Sequence, residues 1–186
     1  MANFTKQAIR TSFIKLLNEK PLGKISVRDI VEDCGINRNS FYYHYQDIPA
    51  LITEIITGLF DRLIEAYPDV TSLVECFDTA AEYTLKNRRA ILHIYNSVNR
   101  DIFETYLMKY SEYAVTEYLS AAFSEAEVAE EDKAIIIRFV KCSIFGIVLD
   151  WLAAGLPEES VGSIRRMLTV SHGLSEEIIR RCREQK

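Results

Sequence analysis

Apolar side chains recur at helical spacing almost from the start of the chain. Ile9, Phe13, Leu16 and Leu17 share one face of a segment from about Asn3 to Glu19, and Pro21-Leu22-Gly23 stops it. Val27, Ile30, Val31 and Cys34 make a second stripe, only two turns long, that closes at Gly35. Ser26 stands before it as an N-cap, and Asp29 three residues on completes a capping-box-like pair. Gly35-Ile36-Asn37 is then a turn, with glycine for the left-handed backbone position and Asn37 as the next N-cap. A third short helix follows from Arg38 to Tyr45. Two short helices joined by a tight glycine turn predict a helix-turn-helix.

Beyond it the pattern stays helical. Asp47 caps the next segment, Pro49 sits in its first turn, and Ile52, Ile55-Ile56, Leu59-Phe60 and Leu63-Ile64 trace a broad apolar face as far as Tyr67-Pro68. A helix of about 20 residues spans roughly 30 Å. Further helices are expected near 70–86, 88–98, 101–123, 131–155 and 158–183, with no internal repeat and no low-complexity linker. The expected architecture is all-α: a three-helix helix-turn-helix head over 1–46 and a helical-bundle body over 47–186, with helix 47–67 connecting them.

Helix 131–155 is apolar almost all round from Ala134 to Ala154, so it must be buried on more than one side. The simplest arrangement gives one face to its own core and another to a second subunit, joined by the last helix. Phe145, Trp151, Ile164 and Leu168 are the expected dimer contacts.

Composition and charge narrow the picture. With 48% apolar and 26% charged residues, the chain has the balance of a soluble helical protein and not of a disordered one. Cys34, Cys76, Cys142 and Cys182 lie too far apart for a zinc or thiol-exchange pair, which fits a reducing cytoplasm. The longest apolar stretch is broken by Arg138, Lys141 and Asp150, and no basic-then-apolar leader opens the chain, so neither export nor a membrane span is expected. The net charge is -5, yet residues 1–49 hold seven basic and five acidic side chains, so a phosphate-bearing partner belongs to the N-terminal part. Three distant histidines, no Gly-rich phosphate loop and no metal-ligand spacing leave no catalytic constellation, metal site or cofactor site.

One residue every 100° puts Phe41 and Tyr45 on a shared inward face and leaves Asn39, Ser40 and Tyr43 pointing the other way, with Arg38 at the helix start. Asn39 can pair with adenine, Arg38 with guanine or a phosphate, and Ser40 with either. Tyr42 and His44 lie on the flanks, where backbone phosphates run. Ser26, Val27 and Arg28 at the start of helix two, and Asn37 at the start of helix three, complete the expected DNA-binding set, because helix N-termini suit phosphate. The competing reading is structural: a packed tyrosine cluster, a satisfied histidine and ordinary solvated arginines. For Tyr45 and Cys34 that core reading is the one adopted.

The run from Ile25 to Tyr45, ISVRDIVEDCGINRNSFYYHY, resembles the signature of TetR/AcrR-family regulators in its capping residue, apolar spacing, turn glycine and closing aromatic-Tyr-x-His-aromatic. The spacing Gly146-x4-Trp151-Leu152-x2-Gly155 is similar to a pattern in the body of one subgroup. The resemblance implies an all-helical homodimer whose head binds palindromic double-stranded operator DNA and whose body senses a small molecule. It further implies repression relieved when that effector moves helix four. One position departs: the lysine that the family carries near the start of helix four, against a phosphate, is Ile48 here, with Lys6 or Lys24 as possible substitutes. A TetR-like helical interaction protein or co-activator, acting through a protein partner, is the alternative. For the effector, Tyr106, Tyr110 and Tyr113 share one face of helix seven, with His93 and Cys142 as further candidates. The same residues also suit an ordinary core.

Overall fold

The computed structural model describes residues 2–66, 72–126 and 128–184. α1 (Ala2–Glu19) buries Ile9, Phe13, Leu16 and Leu17, the stripe its spacing announces, and ends before a short 3-10 turn at Leu22–Lys24. α2 (Val27–Cys34) starts on a full capping box at Ser26 and ends at Gly35, whose φ of 69° lies in the left-handed region. α3 (Arg38–His44) starts on Asn37, whose side-chain oxygen accepts the Ser40 amide at 2.8 Å. Asp47 does the same for the Ala50 amide at 2.8 Å, opening α4 (Ile48–Ala66). α1 packs against α2 and α3.

The remaining helices are α5 (Leu73–Lys86), α6 (Arg88–Tyr95), α7 (Arg100–Glu125), α8 (Glu130–Ala153), α9 (Ser160–Val170) and α10 (Leu174–Glu184). No strand occurs among the described residues, so the fold is all-α, a helix-turn-helix head with a helical-bundle C-terminal region. The expected end of helix four at Tyr67-Pro68 lies outside the described residues. Two compact units emerge, one of residues 1–60 and 86–104, the other of 61–85 and 105–186. α6 belongs to the first, where it packs against α1. α4 runs unbroken through the division at residue 60.

In the second unit, Val115, Leu119 and Phe123 of α7, Ile136 of α8 and Ile179 of α10 form a buried cluster together with Val128. The single helix expected over 158–183 is two. The break falls at Ser171-His172-Gly173, because Gly173 has a φ of 86°, which a right-handed helix cannot contain. α6 stops three residues earlier than expected, where the Ser97 hydroxyl donates to the Ile94 carbonyl at 2.6 Å and draws the chain into a turn. No helix among the described residues is long and apolar enough to cross a membrane.

Candidate nucleic-acid interface

Orientation of α3 is set from behind. Phe41 is fully buried and Tyr45 nearly so, their rings 5.8 Å apart, which turns the opposite side of the helix outward. Arg38, Asn39, Tyr42 and Tyr43 are exposed there, Tyr43 by 81%, while Ser40 and His44 are half-buried.

The polar groups on this face are organised before any partner arrives. The Arg38 guanidinium lies 5.6 Å from the Tyr42 ring and donates to its hydroxyl at 3.2 Å, so the two side chains steady one another. The Ser40 hydroxyl donates to the Asn37 side-chain oxygen at 3.0 Å, and the same oxygen accepts the Ser40 amide, so Asn37 serves the helix cap with that atom. Tyr43 meets His44 edge-on with ring centroids 4.9 Å apart. Asn39 projects from the first turn of α3 beside this group. Together Asn37, Asn39, Ser40, Tyr43 and His44 line a depression of about 310 Å³.

Thr5 of α1 completes that depression. Nothing in the apolar spacing of α1 singles it out, and only the packing of α1 against α3 brings it there. At the start of α2, Ser26 is committed to its cap and Val27 is half-buried. Arg28 is exposed and pairs with Glu32 one turn on at 2.6 Å, an exposed pair that contributes little to stability. Ile48, the first residue of α4, is half-buried and brings no charge.

Below this surface a carboxylate that the apolar pattern does not single out gathers three elements. Glu54 of α4 accepts the Tyr45 hydroxyl at 2.7 Å and the Lys6 ammonium at 2.7 Å, with Arg10 at 3.8 Å. Partial burial acts to raise its pKa, but the hydrogen bonds from Lys6 and Tyr45 and the charges of Lys6 and Arg10 outweigh it, so Glu54 titrates below an ordinary glutamate. Burial and then the hydrogen bond to Glu54 push the Tyr45 phenol up. The signal available in the sequence is that Glu54 is the one charged residue between Asp47 and Asp61.

The other expected site residues are dispersed. His93, half-buried on α6, donates from Nδ1 to the Leu17 carbonyl at 2.6 Å, which satisfies an end of α1. Tyr106, Tyr110 and Tyr113 are half-buried along α7, with the Lys109 ammonium 5.2 Å from the Tyr106 ring. Cys142 is exposed and lines a cleft of about 560 Å³ between α8 and α9. Trp151 and Ile164, expected to face a second subunit, are each 4% exposed inside their own chain, the indole N–H donating to the Pro157 carbonyl at 2.9 Å and the ring lying 5.9 Å from Phe77. Phe145 and Leu168 are half-buried. Among the described residues of the second unit, the large apolar side chains that stand outward are Ile135 (63%) and Phe139 (52%) of α8, Met167 and Val170 of α9 and Leu174 of α10.

Comparison with known proteins matches both parts of the chain. A family model described as bacterial regulatory proteins, tetR family, covers residues 14–55, and one described as a transcriptional regulator C-terminal region covers 72–173, more than half of the chain. No curated protein matches it in sequence. Among solved structures it is similar to the dihydroxyacetone kinase operon activator DhaS, at 20% identity over 90% of this chain and 95% of that one, with a TM-score of 0.72. NalD, the secondary repressor of the MexAB-OprM multidrug efflux pump in Pseudomonas aeruginosa, aligns at 18% identity over 91% and 96%, with a TM-score of 0.58. A TetR transcriptional regulator from Rhodococcus sp. RHA1 aligns at 14% over 96% and 97%, with a TM-score of 0.57. At these identities the likeness is one of fold.

Proposed function

This chain belongs to the TetR family of transcriptional regulators, and from that premise we propose that it is a homodimer that binds a palindromic operator and releases it when a small molecule enters the body. The observation that carries the reading is the outward face of α3, where Arg38, Asn39 and Tyr43 are solvent-facing because Phe41 and Tyr45 are locked inward. Residues 1–46 act as the DNA-binding part and 47–186 as the sensing and pairing part. α4, one helix shared by both compact units, is the element through which an effector acts on the head. The effector site is assigned to the tyrosine face of α7, with Tyr106, Tyr110 and Tyr113 as its contacts.

Pairing of two copies is supported by the outward apolar set on α8, α9 and α10, which one chain leaves uncovered. Two half-sites about one helical turn apart then follow from the two-fold axis. The test is retardation of duplexes selected from a random pool, measured across salt. Sequence-specific binding that weakens steeply with salt is expected, and absence of any salt-sensitive duplex binding overturns the reading.

A second reading reverses the sign of regulation. Ile48 lacks the family's phosphate-binding lysine, and DhaS, which this fold resembles, is named an activator. A head with fewer backbone contacts would then act as an activator or co-activator supported by a protein partner. Reporter output from the bound promoter in a deletion strain separates the two: a rise assigns repression, a fall activation.

A further inference from the structure

The seven basic residues of the head are nearly all spoken for. Lys15 pairs with Asp33 at 2.5 Å, Lys20 with Asp29 at 3.0 Å and Arg28 with Glu32 at 2.6 Å, while Arg38 lies on Tyr42. Lys6 and Arg10 share Glu54, an acid supplied from α4 and outside the N-terminal charge balance. Lys6 differs from the rest in its position. Its neighbour Thr5 borders the depression formed by Asn39, Tyr43 and His44, while Lys6 itself, about 100° further round α1, is directed to Tyr45 at the end of α3. Its ammonium lies 5.6 Å from the Tyr45 ring, and that ring is 6.5 Å from His44. A phosphate running along the His44 flank would therefore compete with Glu54 for one flexible side chain.

We propose that Glu54 sets the DNA affinity of this head by withholding Lys6 from the phosphate backbone, while the same carboxylate positions the end of α3 through the Tyr45 hydroxyl. The inference rests on the DNA-binding reading given above. The Lys6 and Glu54 side chains are 39% and 33% exposed, and a pair so open to water contributes little to folding. Its larger consequence is electrostatic: the cation is neutralised at the place where it would meet a polyanion. Glu54 sits in the second turn of α4, so any displacement of that helix changes how firmly Lys6 is held.

The test uses the full chain and a random-sequence duplex of about 30 base pairs, with binding measured at several salt concentrations. Glu54→Gln keeps an oxygen for the Tyr45 hydroxyl but loses the charge. It should tighten binding at low salt and steepen the slope of log K against log salt by about 1, the signature of one added phosphate contact. Adding Lys6→Met to that variant should return the slope to its original value, and Lys6→Met alone should leave it unchanged. Because Lys6→Met leaves the hydrogen bond between Tyr45 and Glu54 in place, that single variant tests the proposal even if Glu54→Gln folds poorly. The proposal is overturned if Lys6→Met alone flattens the slope by about 1, since Lys6 would then already hold a phosphate. It is equally overturned if folded Glu54→Gln leaves the slope unchanged, or if the double variant keeps the steeper one. These outcomes leave wild-type duplex binding intact, whereas its absence overturns the DNA-binding reading and this inference together.

Discussion

Ser26 and Asp29 hold each other across the first turn of α2: the Asp29 amide donates to the Ser26 hydroxyl at 3.2 Å while the Ser26 amide donates to an Asp29 carboxylate oxygen at 2.7 Å. Two of the orphan amides at the helix start are satisfied by this exchange. Since α2 is only two turns long, its existence depends heavily on that cap. Ser26→Ala is expected to lower the unfolding free energy by about 1 kcal/mol, read from the denaturant midpoint. An unchanged midpoint would remove the cap from the account of how α2 forms.

The same pair has a pH signature. Hydrogen bonds from the Ser26 hydroxyl, the Ser26 amide and Lys20 hold the Asp29 carboxyl well below its ordinary range. A carboxylate with a depressed folded-state pKa contributes stability above its unfolded pKa, about 3.9, and loses it as pH falls through the folded value. Wild type and Asp29→Asn should therefore differ in thermal stability at about pH 6 and converge as the solution is acidified below about pH 4. A gap that stays constant down to about pH 2 contradicts the assignment.

On the proposed reading face the variants should divide by role. Asn39→Ala removes a side chain proposed to meet a base edge, so discrimination between selected and random duplexes should fall by about 1–3 kcal/mol. His44→Ala, on the flank, should weaken both duplexes alike. Equal losses on every sequence from both variants would show that Asn39 does not read a base.

For assembly, the side chains to test are Ile135 and Phe139 of α8, which stand outward, and not Trp151 or Ile164. Phe139→Glu should convert the proposed dimer to monomer in sedimentation or light scattering while the monomer keeps its helical content, because the site lies outside the chain's own core. Trp151→Ala should unfold the chain's second unit in preference to dissociating it, at a cost of about 3–5 kcal/mol. A dimer untouched by Phe139→Glu would place the interface elsewhere.

His93→Phe tests whether that histidine is structural. Loss of its hydrogen bond to the Leu17 carbonyl should reduce stability by about 1 kcal/mol, seen as a lower denaturant midpoint. No change in stability would release His93 for a role at the effector site.

What the sequence determined by itself is the head's local geometry. The capping box at Ser26, the left-handed Gly35, the cap at Asn37 and the inward Phe41 and Tyr45 are all decided within a few residues, by hydrogen bonds and side-chain directions that short segments specify alone. Gly173 carried a similar local signal for the α9–α10 break, obscured by the apolar spacing on either side of it. The tertiary structure decided the rest. Thr5 beside Asn39 and Tyr43, Glu54 between Lys6 and Tyr45, and His93 on Leu17 depend on packing between segments far apart in the chain, and no periodicity encodes such meetings. Helix α8 shows the limit most clearly: a helix apolar almost all round offers little amphipathic direction to read, so only packing could bury Trp151 and leave Phe139 facing out.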